Sequence, residues 1–141
     1  MEGRVTAISH MKRLFLVLVF VSLSSCRTTY HPYSESFLMS DDGYLEIPLD
    51  TDLYRVTFIG NYMDDAGKYA MFRAAELTLE KKYNCFVTLD SVVTDVRYRF
   101  SFVSVANQLF RMLHGPCSSL SPTVFNAKVL IDSMSSHIRR P

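Results

Sequence analysis

Ten residues near the start, Leu14-Phe15-Leu16-Val17-Leu18-Val19-Phe20-Val21-Ser22-Leu23, are nearly all apolar and follow directly on Lys12 and Arg13. This run decides how much of the chain is left to build a fold. A membrane-spanning helix needs about 20 apolar residues, whereas the apolar region of a secretory leader needs roughly 7–15. A buried core strand or helix is the other reading. A terminal position, a basic entry and small residues at the exit argue against it. The expectation is a leader over residues 1–25, with Met11, immediately before Lys12, as a second candidate start. The rest is long enough for one domain and short for two.

The exit of that run reads Leu23-Ser24-Ser25-Cys26, which resembles the bacterial lipobox, Leu-small-small-Cys. The resemblance implies that the Cys26 thiol receives a diacylglycerol and that a peptidase cuts just before it. Two or more acyl chains (palmitate and its like) hold a protein stably on a bilayer, where one chain holds it only marginally. Loss of Arg4, Lys12, Arg13 and Glu2 with the leader turns the net charge of +1 into −1. The lipid, not charge, would therefore do the holding. Arg27 after the cysteine, by the enterobacterial sorting pattern, implies the periplasmic face of the outer membrane.

With Cys26 lipidated, Cys85 and Cys117 are the two cysteines left, an even pair in an oxidising compartment. A bridge between them is one reading; two separate small apolar residues is the other. Neither has a second ligand at zinc-site spacing. No cofactor or metal is expected.

Residues 26–42 are rich in Ser, Thr and Tyr and read as a lipidated tether. Residues 43–141 read as a single α/β (α+β) domain. Tyr44–Leu49 alternates as a strand, and Pro48 confines it to a sheet edge. Leu53–Ile59 alternates next and ends at Gly60-Asn61. Asp64 or Asp65 caps a helix running to Lys82, with Phe72, Ala75, Leu79 and Tyr83 on its apolar stripe. Ala70, Ala74 and Leu77 point away from that stripe and hint at a second contact. Asn84–Asp90 is the following strand, which suggests one crossover joining parallel strands. Val96–Phe102 and Gln108–Leu113 read as further strands with a hairpin turn at Ala106-Asn107. The final segment fits a helix capped by Asn126, although Phe125, Ala127, Val129 and Ile131 would equally suit a strand. The expected architecture is two layers, a four- or five-stranded mixed sheet and two helices.

The block Tyr54-Arg55-Val56-Thr57-Phe58-Ile59-Gly60-Asn61, then Phe72-Arg73-Ala74-Ala75-Glu76-Leu77-Thr78, then Tyr83-Asn84-Cys85-Phe86 resembles a family of small bacterial lipoproteins of unknown function. That family shows a strand ending Gly-Asn, an Arg-Ala-Ala-Glu-Leu-Thr helix and a Tyr-x-x-Phe strand entry. Arg111–Gly115 and Phe125–Ala127 resemble its distal segments more loosely. The resemblance implies an envelope address and names no chemistry. Cys85 and Cys117 fall outside the family's pattern, so any bridge would be this chain's own.

Catalytic motifs are absent: no Gly-x-Ser-x-Gly elbow, Gly-rich phosphate loop or His-Glu-x-x-His helix occurs. A near-neutral charge gives no case for nucleic acid, and Tyr98–Val105 is only a partial likeness to an RNA-binding strand. His114, beside Gly115-Pro116, reads as a solvated loop residue. Four residues stand out as candidates for a structural or binding role: Asn61, Arg73, Glu76 and Tyr83. Glu76 beside Arg73 is either a helix-face ion pair or a perturbed acid or base. Two functions follow. The first is a non-enzymatic envelope lipoprotein that binds another envelope protein or assists an assembly, with Leu77 as an exposed contact. The second is a small periplasm-facing hydrolase or ligand-processing domain using Glu76, Arg73 and Tyr83.

Overall fold

The computed structural model describes residues 30, 32, 42–61, 65–98, 101–117 and 123–138. Residues 1–25, expected as a leader, and Cys26 lie outside the described residues. Five strands and two helices follow in the order β1 (Gly43–Pro48), β2 (Leu53–Asn61), α1 (Ala66–Glu80), β3 (Cys85–Tyr98), β4 (Ser101–Leu113), β5 (Val124–Asn126) and α2 (Ala127–Met134). The strands form one open sheet in the order β1-β2-β4-β3-β5. Every neighbouring pair of these strands is antiparallel, so the fold is α+β and the sheet is not mixed.

The expected crossover survives in altered form. β2 and β3 both lie antiparallel to β4 and therefore run parallel to each other, but β4 separates them. Alternation along β2 and along the strands that follow reported strand content correctly and misplaced the breaks. The register pairs Tyr98 with Ser101, so the chain reverses between them, inside the run read as one strand. Ala106 and Asn107, read as a turn, sit in the middle of β4, paired with Phe58 and Thr57 on one side and with Val93 and Val92 on the other. A small residue is wanted there: Ala106 is buried beneath α1's layer, and both its flanks are ladder positions. The reversal also splits the aromatic stretch likened to an RNA-binding strand across two strands.

Even-numbered residues of β2 and β4 face the helices, and Val56, Phe58, Ala106, Phe110 and Met112 are buried there. Helix α1 packs over β2, β4 and β3, and α2 packs on α1. The Asp65 side chain accepts from the Lys68 amide to start α1, as an N-cap should. Its stop is a two-bond C-terminal turn: Tyr83 N–H donates to Thr78 O at 2.9 Å and Lys82 N–H to Leu79 O at 3.0 Å. Lys82 takes the left-handed conformation (φ 70°) at the position where glycine is usual.

Because α2 covers the far side of α1, Ala70, Ala74 and Leu77 are buried, and Leu77 retains 2% exposure. The second contact hinted at by the wheel is internal, and Leu77 is not an exposed partner surface. Leu79, placed on the apolar stripe, is instead 37% exposed. The C-terminal ambiguity resolves both ways: Val124–Asn126 is a short strand and Asn126 then caps α2, accepting from the Val129 amide at 3.1 Å. Among the described residues, no helix is long and apolar enough to cross a membrane.

Candidate functional site

The densest polar constellation is built on one face of α1. Arg73, Glu76 and Glu80 follow at spacings of three and four, which stack side chains on a helix surface. Glu46 reaches the same point from β1, whose even-numbered residues face the helix layer. The Arg73 guanidinium sits at the centre: Nε donates to Glu46 at 2.5 Å, Nη1 to Glu76 at 3.0 Å and to Glu80 at 2.7 Å, and Nη2 to Glu80 at 3.0 Å. Its carbon also lies 4.7 Å from the centre of the Tyr44 ring. Arg73 is only 8% exposed. Burial alone would lower its pKa, but the hydrogen bonds to Glu80, Glu46 and Glu76 outweigh that and hold it above the ordinary arginine value.

Tyr30 completes the group. Its hydroxyl donates to Glu76 in a short hydrogen bond, and its ring lies 5.0 Å from Tyr44 and edge-on to Phe72 at 5.3 Å. The domain's packing thus reaches back into the segment read as tether. Pro32 adds a bridge to Tyr44. Burial, then the bond to the Glu76 carboxylate, pushes the Tyr30 hydroxyl well above the tyrosine range. Burial raises Tyr44 too, against the opposing charge of Arg73.

Of the four residues singled out from sequence, Arg73 and Glu76 meet. Tyr83 does not join them: it is the residue that closes the α1 stop, and its ring stacks on exposed His114 at 4.1 Å. Asn61 ends β2 opposite Val103, at the other end of the sheet from Leu53. Glu46, Tyr30 and Tyr44 were missed. Their signal was weak in one dimension, because an acid in an edge strand and a tyrosine in a Ser/Thr-rich segment look solvated until a cation is placed beside them.

Chemically the cluster is a clamp. Three carboxylates share one guanidinium, four of whose five N–H groups are engaged. Tyr30 stays protonated at any ordinary pH. No member is poised as nucleophile and base toward another. Among the described residues, no group of three or more His, Cys, Asp and Glu is placed to hold a metal ion.

A second lock lies at the start of β3. Cys85 and Cys117, 32 positions apart in sequence, are joined by a disulfide with Cα atoms 5.5 Å apart. Asn84 prepares that closure by exchanging side-chain hydrogen bonds with the backbone of Gly115, whose N–H donates to Asn84 Oδ1 at 3.1 Å. Gly115 has φ 107°, a conformation that side chains other than hydrogen resist. That turn brings Cys117 back over Cys85.

Compared with protein-family models, with curated proteins and with solved structures, the chain matches none.

Proposed function

We propose that the protein is a cell-envelope lipoprotein: a small α+β domain, anchored through lipid on Cys26, that binds another envelope component rather than turning over a substrate. The observation that carries this reading is the leader itself, Lys12-Arg13, the apolar run and Leu23-Ser24-Ser25-Cys26. The resemblance of the Arg73–Thr78 helix block to small bacterial lipoproteins belongs to the same reading. The Cys85–Cys117 bridge supports it, since such bridges persist in oxidising compartments and are rare in reducing ones.

On this reading, the contacts of Tyr30 with Glu76, Tyr44 and Phe72 shorten the tether. Only four residue steps separate Cys26 from Tyr30, about 14 Å at full extension. An acylated Cys26 would therefore hold the β1–α1 corner near the headgroups, and the domain would not swing on a long tether. The acidic surplus of Glu46, Glu76 and Glu80 over Arg73 would keep that corner off anionic lipid.

Intact mass of the protein from membrane fractions, alkylated with and without prior reduction, tests both parts. The expected mass is Cys26–Pro141 plus acyl chains, with two more alkylations after reduction. An unprocessed chain without lipid removes the reading.

A further inference from the structure

We propose that a second copy of this chain adds to the free edge of β3, making one sheet continuous across two protomers. Beyond Val87, which is the last β3 residue paired with β5, no strand among the described residues lies along that side of β3. Every residue from Leu89 to Arg97 is exposed, Val93 to 54% and Val96 to 42%. Proteins blunt such edges with lysine, proline or bulges, because an unpaired ladder recruits another strand. The single register shift lies between Thr88 and Asp90, and from Asp90 to Tyr98 the pairing with β4 is unbroken. That stretch holds neither lysine nor proline.

The direction of the free backbone groups follows from hydrogen bonds elsewhere. Met112 N–H donates to Asp52 O on the β2 side, so even-numbered β4 residues turn toward β2 and odd ones toward β3. Past the shift, odd β4 residues oppose even β3 residues (Val105 with Thr94, Val103 with Val96). Asp90, Val92, Thr94, Val96 and Tyr98 are therefore spent on β4. Ser91, Val93, Asp95 and Arg97 turn their N–H and C=O outward. Before the shift the parity is reversed, as the outward bond from Thr88 N–H to Thr123 O requires.

This edge is complementary to itself. A two-fold axis normal to a sheet pairs some residue with its own copy. With Thr94 opposite Thr94, Val92 meets Val96, Ser91 meets Arg97, Val93 meets Asp95 and Asp90 meets Tyr98. No like charges stand opposite. The partner's Tyr98 then stops opposite Asp90, short of the Thr88–Thr123 bond, whereas centring on Val93 would run it into that bond. Two-fold self-pairing that opposes no like charges, buries Val92 against Val96 and stops short of the Thr88–Thr123 bond points to a second copy of this chain as the occupant. The proposal does not depend on the lipid anchor.

The test uses the full chain purified in detergent from whole-cell lysate, plus two cysteine variants and one proline variant. Thr94 bonds to β4, so Thr94 and its copy form a non-hydrogen-bonded pair with Cα atoms about 4.5 Å apart, within disulfide reach. Thr94→Cys is expected to yield a covalent homodimer on non-reducing gels. Val129→Cys, on the exposed face of α2, is expected to stay monomeric. Val93→Pro removes an outward N–H and no bond to β4, so sedimentation is expected to show at least a tenfold loss of dimer with the far-ultraviolet spectrum retained. Wild type that is monomeric at tens of micromolar overturns the proposal. So does a Thr94→Cys chain that stays monomeric or couples to a different protein, and so does equal crosslinking from Val129→Cys. The cysteine variants keep every backbone donor and decide the matter even where the proline variant fails to fold.

Discussion

Replacing Tyr30 with phenylalanine asks whether the segment that precedes β1 is truly part of the domain. The ring contacts to Tyr44 and Phe72 survive the change; the hydroxyl donated to Glu76 does not. A hydrogen bond to a charged acceptor contributes roughly 1.5–3 kcal/mol. Glu76 keeps Arg73 Nη1 at 3.0 Å, so no carboxylate is stranded and the lower end applies, about 1.5 kcal/mol. For a domain near this size that is a fall in Tm of roughly 6–10 °C.

The same residue makes the effect pH-dependent. Its native pKa is raised, by burial first and by the Glu76 hydrogen bond second. The unfolded chain ionises near the ordinary value of about 10 while the native state keeps the proton. Above that pH the native state binds more protons than the unfolded one, so stability falls as pH rises. The contribution is therefore complete below pH about 10 and is lost above it by up to about 1.4 kcal/mol per pH unit. Phenylalanine has no such loss. Urea unfolding at neutral pH and at steps above pH 10 is expected to show Tyr30→Phe weaker at first, with the two curves meeting near pH about 11. Equal stability at neutral pH, or a gap that does not close in alkali, would refute the docking of Tyr30. The short reach from Cys26 would go with it.

Other perturbations separate the remaining parts. Cys117→Ser opens the 32-residue loop and is expected to cost about 3–4 kcal/mol by the chain-entropy relation, read as a lower urea midpoint; an unchanged midpoint would show that the loop contributes nothing. Leu77→Ala removes a buried side chain at 2% exposure and is expected to destabilise by about 2–5 kcal/mol, where a surface contact would lose under 0.5 kcal/mol. Lys82→Gly relieves the left-handed strain at φ 70° and is expected to raise stability by roughly 0.5–1 kcal/mol; destabilisation would mean that its side chain matters more than its backbone. Arg73→Met removes the cation that Glu46 and Glu76 share and is expected to cost about 3 kcal/mol, read as a lower urea midpoint.

Local signals carried much of the plan. Alternation along Leu53–Ile59, the cap at Asp65, the edge position of Pro48 and the cap at Asn126 are properties of a few neighbouring residues, and each is where the sequence places it. The Arg73–Glu76 pair was legible for the same reason, because helical spacing alone brings the two together. The hairpin between Tyr98 and Ser101 was not: alternation continues on both sides of a tight reversal, and nothing in the period marks the break. Leu77 was misjudged because a wheel shows how many faces are apolar and not what covers each one. The clamp was half visible, since Glu46 and Tyr30 lie 27 and 43 residues upstream of Arg73 in the chain.

The sequence by itself determined that the domain is an α+β sheet of four or five strands with two helices, and which face of β2 is buried, because these depend on runs and periods within a window. Only the tertiary structure decided that β4 inserts between β2 and β3, that one guanidinium gathers three carboxylates and a tyrosine, and that β3 runs on beyond its pairing with β5. Each of these depends on which distant strands share a border. Period and propensity are blind to that choice, because hydrogen bonds between any two strands look alike until the whole sheet is assembled.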